Sequence, residues 1–412
     1  YKNVYRPVRV VSYDKESGEL VLHNYMDFDD LKDYVKISYE LTQDGLVISK
    51  DILSEFSVVP HGEGKTNLKI SVPENGKCYL KLIYHLKKEL PLLDEGHILG
   101  FDEIEVSKDD AKCKLAEKWM QKTAVDSELQ VNENDTQIHI KGREFAYTID
   151  RRTALFTEMK FAGREYLNHP MELNIWRAPT DNDMYIKAEW KKAHYDKAYT
   201  RAYTTEVVQG KHGVKIVSHA SVVAETVQKI LDVTITWKID ASGKIDADIE
   251  ATKDGEFPDL PRFGVRMFLD KKLADIRYFG MGPQESYRDK HQAASHGLYR
   301  ANVGDLHEDY IRPQENGSHY DCEYVELNNS RYGIVASAEK AFSFNASYYT
   351  QEELEKKTHN YELIESDSVV FCVDYALNGI GSNSCGPVVL EQYRFDDVLF
   401  RFQFTLIPYV KG

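Results

Sequence analysis

Cysteine is scarce in this chain of 412 residues. The five, Cys78, Cys113, Cys322, Cys372 and Cys385, are scattered and never spaced C-x-x-C. That pattern fits neither a disulfide framework nor a zinc site, and it points to a reducing, cytoplasmic setting. Four of them are expected as small buried hydrophobes. Long apolar runs are also lacking. None approaches the roughly 18–20 residues that span a bilayer, so no membrane partner is expected. No segment has the charged start, apolar middle and small-residue cleavage site of a secretion signal. Positive charge is in deficit, with 52 Lys and Arg against 67 Asp and Glu, a net charge of −15. Such a surface repels a phosphate backbone, so nucleic acid is not expected as a partner. An initiator Met is absent: the chain opens Tyr1-Lys2-Asn3-Val4-Tyr5, and a piece of something longer is expected.

What is present is ample core material, 42% hydrophobic and 12% aromatic, with charge dispersed rather than in blocks. Disorder is thereby excluded, and the length suggests two to four domains. Residues 1–107 read as all-β. Val35, Ile37, Tyr39 and Leu41 alternate with polar residues, and Asp44-Gly45 turns the chain into Leu46-Val47-Ile48. Further strands are expected at Val8–Tyr13, Glu19–Asn24, Leu53–Val59, Leu68–Val72, Tyr79–Leu86 and Phe101–Val106. Seven or eight short strands in about 100 residues is the count of an immunoglobulin-like β-sandwich. Residues 108–127 are polar, lack alternation and read as a linker, with room for one helical turn.

From 128 to 412 the strand pattern resumes. Val233, Ile235, Trp237 and Ile239 alternate, then Ala241-Ser242-Gly243-Lys244 turns into Ile245, Ala247, Ile249 and Ala251. Near the end, Val398, Phe400, Phe402, Phe404 and Leu406 take one face. Helices are expected only at Ile186–Ala198 and Gln351–Lys357. Many strands without βαβ alternation imply an all-β chain, with a large antiparallel sandwich as the second domain.

Nucleotide-binding and common hydrolase motifs are missing: no G-x-x-x-x-G-K-[ST], G-x-G-x-x-G, H-E-x-x-H or G-x-S-x-G. Four polar, aromatic loops remain. The first, Trp176 to Asp183, crowds Arg177, Asp181, Asn182 and Asp183 around a proline. Its plainer reading is a loop that bonds to itself. The second, Gly280 to Asp289, carries Glu285, Tyr287, Arg288 and Asp289, in which an ion-pair knot of Glu285, Arg288 and Asp289 is expected. The third, Arg312 to His319, contains Glu315 and the turn Asn316-Gly317. Its amide and carboxyl groups suit either a structural role or a sugar hydroxyl. The fourth, Asn378 to Pro387, has three glycines and a mostly small, polar tip. His291, His296, His307 and His319 are not spaced as metal ligands on one helix face, and no metal site is expected. No spacing singles out the carboxyl pair, about 5–9 Å apart, that glycoside cleavage needs.

These loops carry a resemblance. Trp176–Asp183 resembles the R-A-P-x-D-N-D element of large bacterial β-galactosidases of the glycoside hydrolase 2 type. Gly280–Asp289 resembles their G-x-G-P-x-E-x-Y-x-D, and Pro313–Gly317 their P-x-E-N-G. Glu189–Tyr195 is similar to the helix after the first element, and Leu377–Pro387 to their M-G-I-G-G-x-x-S-W-x-P. Glu95-Gly96-His97-Ile98 resembles the end of the preceding sandwich. The family runs from a jelly roll and an immunoglobulin-like domain through a catalytic TIM barrel to a second immunoglobulin-like domain and a C-terminal β-supersandwich. The resemblance covers only the last two. It implies a galactose mutarotase-like supersandwich and a parent enzyme that hydrolyses terminal β-galactosides with retention. It also implies that the catalytic glutamates, magnesium and sodium belong to the barrel, leaving this part with no catalytic residue and no cofactor.

One family site residue maps here. A Trp of the fourth loop stacks on the sugar in the family, and Cys385 aligns with it, one residue being deleted in Gly381–Ser384. A thiol lacks the apolar face of an indole. Asn383, Ser384 and Cys385 are therefore the substrate-binding candidates, with packing within the loop as the plainer reading of Cys385. The resulting expectation is an inactive fragment that is scaffold, pocket wall and assembly surface. Its partners would be the galactoside, the barrel-bearing remainder of the parent and a second copy of the chain. The rival is an independent carbohydrate-binding or mutarotase-like protein, which would need a Glu and His pair that the sequence does not single out.

Overall fold

The computed structural model describes residues 1–108, 110–120 and 128–411. Strand accounts for 50% of the chain and helix for 10%, which fixes the class as all-β. The chain forms two compact units. One comprises Tyr1–Glu117 with Gln292–Tyr299, the other Lys118–His291 with Arg300–Gly412. The expected linker contains a helix at Lys114–Met120. Residues 109 and 121–127 of it lie outside the described residues.

The first unit is an immunoglobulin-like sandwich. One sheet runs Val8–Tyr13, Glu19–Asn24, Glu63–Asn67. The other runs Leu46–Ile52, Val35–Gln43, Cys78–Leu86, Ile98–Glu105. Both are antiparallel, with Tyr39 opposite Leu82 and Leu20 opposite Thr66. Period-two alternation sends Val35, Ile37 and Leu41 inward to meet Leu80, Leu82, Tyr84, Leu20 and Leu22 in one core. A fully buried side chain of this kind is worth about 1.5–3 kcal/mol.

Two strand expectations fail here. Leu53–Val59 and Leu68–Val72 carry no ladder, although Leu53, Val58 and Leu68 enter the core. Apolar side chains serve a core from an irregular segment as well as from a strand. The strand that closes the first sheet is instead Glu63–Asn67, which has no apolar alternation. It is an edge strand held by its backbone pairing to Glu19–Asn24.

The second unit is built on a large antiparallel supersandwich. Its main sheet follows Leu167–Asn174, Arg262–Asp270, Ser368–Leu377, Tyr332–Ser347, Leu399–Val410, Ile245–Lys253, Leu231–Asp240, Gly213–Val223 and Tyr199–Gln209. Asp275–Gly282 and His319–Asn328 branch from it through Tyr332–Ser347. A five-stranded sheet of Gln130–Glu133, Gln137–Lys141, Phe145–Asp150, Leu155–Phe161 and Arg164–Glu165 completes the unit.

Register follows the pattern of the sequence. Trp237 pairs with Ala247, and Ala247 with Phe404, so large and small residues alternate across three strands. Phe400, Phe402, Phe404 and Leu406 are buried as expected, but Val398 precedes the strand and is 52% exposed. The expected helix Ile186–Ala198 stops at Lys192. His194 turns left-handed at φ 57°, and a short 3-10 turn at Tyr195–Lys197 follows. The break lets buried Tyr195 donate to the Pro258 carbonyl while Trp190 donates to that of Asp259.

Candidate functional site

The four loops meet in the second unit, and the fourth is clamped by the first two. Strand Leu167–Asn174 delivers Trp176-Arg177, after which Asp181–Asp183 makes one 3-10 turn. Asp183 caps that turn, taking the Thr180 amide at 2.8 Å and the Thr180 hydroxyl at 3.2 Å. Its carboxylate also meets Arg177, Nη2 to Oδ1 at 2.7 Å and Nε to Oδ2 at 3.2 Å. Both side chains are almost wholly buried. Only a guanidinium has donors left over after such a fork. Arg177 uses them on the carbonyls of Asn378 and, at 3.1 Å, Gly379. Its guanidinium lies 5.3 Å over the Trp190 ring.

Asn182 extends the row of bonds, donating to the Ile380 carbonyl at 2.7 Å. From the other side Asp289 accepts the amides of Ile380 at 3.0 Å and Gly381 at 2.7 Å. Residues 378–381 are thus held by three carbonyls and two amides. A Cβ on Gly379 or Gly381 would lie within 3 Å of the Asp289 carboxylate, which is why glycine stands at both positions.

The second and third loops lock together beside this clamp. Glu285 accepts the Gly317 amide at 2.9 Å and bonds Lys290 and Tyr310. Gly317 has φ +71°, a left-handed conformation that favours glycine. The Glu315 amide donates to Ala178 at 3.0 Å, tying the third loop to the first. Asn316 holds the Glu308 amide and donates to the Gln314 carbonyl. Gln314 in turn bonds Asp181. The expected knot of Glu285, Arg288 and Asp289 does not form. Glu285 pairs with Lys290, Arg288 donates to the Arg394 carbonyl, and Asp289 serves backbone amides.

Below lies a buried charged group that the loop motifs do not reveal. Arg262 contacts Asp374 at 3.1 Å and Glu315 at 3.5 Å, and Ser318 donates to Glu315 at 3.0 Å. Asp374 Oδ1 and Arg262 Nε are buried without a protein partner. Burial pushes the Asp374 carboxyl up to about 7, with Arg262 pulling it down and Glu315 pushing it up. Asp374 interrupts an otherwise apolar strand, directly after Val369–Val373, and a lone charge in such a run is the signal that could have found it. Tyr287 is buried nearby, and it helps line a recess of about 210 Å³ with Tyr320, Tyr375 and Leu377.

His319 packs against Tyr278 and Phe344, and burial pushes it down to about 4. A base held neutral contributes stability that is fully present above the ordinary imidazole value and lost as pH falls toward the folded value. Asp374 has the opposite sign, its contribution being greatest below the ordinary carboxyl value and lost as pH rises toward 7. His319→Phe isolates the first effect. Between pH 6.5 and 4 the native protein should lose about 3 kcal/mol relative to this variant, read from urea midpoints. A difference that stays constant with pH would contradict the assignment.

The tip of the fourth loop lies beyond the clamp. Asn383 adopts φ 93°, and Ser384 and Cys385 are exposed. The other four cysteines are buried. Among the described residues no group of three or more His, Cys, Asp and Glu could hold a metal ion. Among the described residues no helix is long and apolar enough to cross a membrane.

The family described as "Beta galactosidase small chain" matches residues 141–406, and "Beta-galactosidase, domain 4" matches residues 20–107. The chain therefore belongs to the β-galactosidase family, as the counterpart of domain 4 and the small chain. The β-galactosidase of Actinobacillus pleuropneumoniae is 42% identical over 408 residues, and that of Staphylococcus xylosus 30% over 409. Each match takes in 98% of this chain but only 39% and 40% of the relatives, so the chain spans about two fifths of their length. A solved galactose 1-epimerase from Lactobacillus acidophilus superposes with a TM-score of 0.37 and 10% identity, over 69% of this chain and 100% of that one. At that distance the likeness carries no argument here.

Proposed function

We propose that this chain is the non-catalytic part of a β-galactosidase that hydrolyses terminal β-D-galactosides with retention, and that it acts there as scaffold, pocket wall and assembly surface. The observation that carries the reading is the clamp on residues 378–381. Arg177, Asn182 and Asp289 fix the base of a loop whose tip carries a half-buried Asn383 and the exposed Ser384 and Cys385. A rigid base with a free polar tip suits a loop offered to a sugar from one side. Retaining hydrolysis needs two carboxyl groups about 5–5.5 Å apart and free to act as acid and nucleophile. The carboxylates of these motifs are engaged instead. Asp183 holds a guanidinium, Asp289 two amides, and Glu285 an amide, a lysine and a tyrosine. The reaction then depends on the remainder of the parent. The partners are the galactoside, that remainder and a second copy of the chain.

The purified chain should turn over nitrophenyl β-galactoside no faster than a buffer blank. It should likewise leave the interconversion of galactose anomers at its uncatalysed rate. Hydrolysis above the blank that survives removal of host enzyme would contradict the reading. Accelerated anomer exchange would favour a mutarotase-like protein.

A further inference from the structure

A second cavity, of about 340 Å³, lies in the same unit between strands Phe145–Asp150, Leu155–Phe161, Leu167–Asn174 and the start of Tyr199–Gln209. It falls within the usual range for small-molecule sites, roughly 300–1,000 Å³. We infer that it binds a neutral sugar, independently of the activity proposed above. The argument rests on the chemistry of the wall.

One part of the wall is apolar, formed by Leu155, Met171, Leu173 and Ile175. At the mouth stands Tyr199, 50% exposed, offering a ring face for the apolar side of a pyranose. The other part is polar. Thr200 is 5% exposed, and its hydroxyl oxygen is buried without a protein partner. A buried hydroxyl in that state is unfavourable until something bonds it.

Charge decides among ligand classes. The lining carries four carboxylates, Asp150, Glu172, Asp196 and Glu352, against one guanidinium, Arg266. That excess repels phosphates and carboxylates. Yet each carboxylate already has its cation. Arg152 holds Asp150, Lys191 holds Asp196, and Arg266 holds both Glu172 and Glu352. The site therefore has little need of a metal or a cationic ligand. An apolar ligand would leave Thr200 unsatisfied. A neutral polyol with one apolar face meets all four conditions. Paired carboxylates retain acceptor lone pairs for its hydroxyls.

The test uses the whole chain and ligand-observed saturation-transfer NMR. Methyl β-galactoside, methyl β-glucoside and lactose are titrated, with inorganic phosphate and tetramethylammonium as anionic and cationic probes. At least one sugar should bind with a Kd of about 1–10 mM, and neither ion should bind at that strength. Thr200→Val keeps the shape and removes the hydroxyl, while Tyr199→Ala removes a half-exposed ring. Each should weaken sugar binding about tenfold or more, at a melting temperature no lower than that of the native chain. Replacing Ser382–Pro387 with two glycines should leave this binding intact, which separates it from the loop site. No saturable sugar binding up to about 100 mM would overturn the inference, as would binding that both variants leave within about twofold. Tighter binding of either ion than of every sugar would also overturn it.

Discussion

Asp183→Ala should destabilise the second unit by about 3–5 kcal/mol, among the largest effects a single substitution produces here. The Arg177–Asp183 pair lies away from water, with side-chain exposures of 0% and 5%. In such a place the desolvation cost has already been met, and removing one partner leaves the other charge unpaired. Asp183 also holds the Thr180 amide and hydroxyl, so the 3-10 turn loses its cap in the same step. The damage should spread to the fourth loop, because an Arg177 freed from its fork no longer aims at the Asn378 and Gly379 carbonyls. Arg177→Met combined with Asp183→Leu should cost less than the sum of the two single changes, since the buried charge then disappears from both sides. Urea unfolding reads all four variants: Asp183→Ala, the two single changes and their double. A loss below about 1 kcal/mol for Asp183→Ala would mean that the pair does not organise the loops.

Much of this was legible in the sequence where one face of a strand is buried. Leu231–Asp240, Ile245–Lys253 and Leu399–Val410 alternate cleanly because each lies in a sheet with an apolar side, and the strands were read there. Legibility ended where burial and ladder part company. Leu53, Val58 and Leu68 fill a core from segments without strand pairing, while the polar Glu63–Asn67 pairs at an edge and presents no pattern.

The loops behaved similarly. Their side chains were recognisable as a group, and their crowding of Asp, Asn and Glu announced dense hydrogen bonding. Their partners were not recognisable. Asp289 meets backbone amides 91 and 92 residues away, and Arg262 meets Asp374 across 112 residues. A local motif contains no information about so distant a neighbour. The knot expected within the second loop failed for that reason. Arg288 and Asp289 both reach the final quarter of the chain, to Arg394 and to residues 380–381.

The strongest functional effect should come from the tip of the fourth loop. The direct measurement places this chain in the β-galactosidase of Actinobacillus pleuropneumoniae, in exchange for the segment it matches at 42% identity. The hybrid should hydrolyse nitrophenyl β-galactoside, whereas this chain alone should not. Ser382–Pro387 is then replaced by two glycines in that hybrid. The clamp of Arg177, Asn182 and Asp289 grips residues 378–381, so the change leaves the fold and the melting temperature in place. If the tip is a wall of the sugar pocket, its removal lets the substrate sit out of line, and misplacement by about 1 Å can cost about a hundredfold. The account predicts a fall in kcat/KM of about that size in a folded hybrid. A loop-replaced hybrid as active as the intact one would contradict the pocket-wall role.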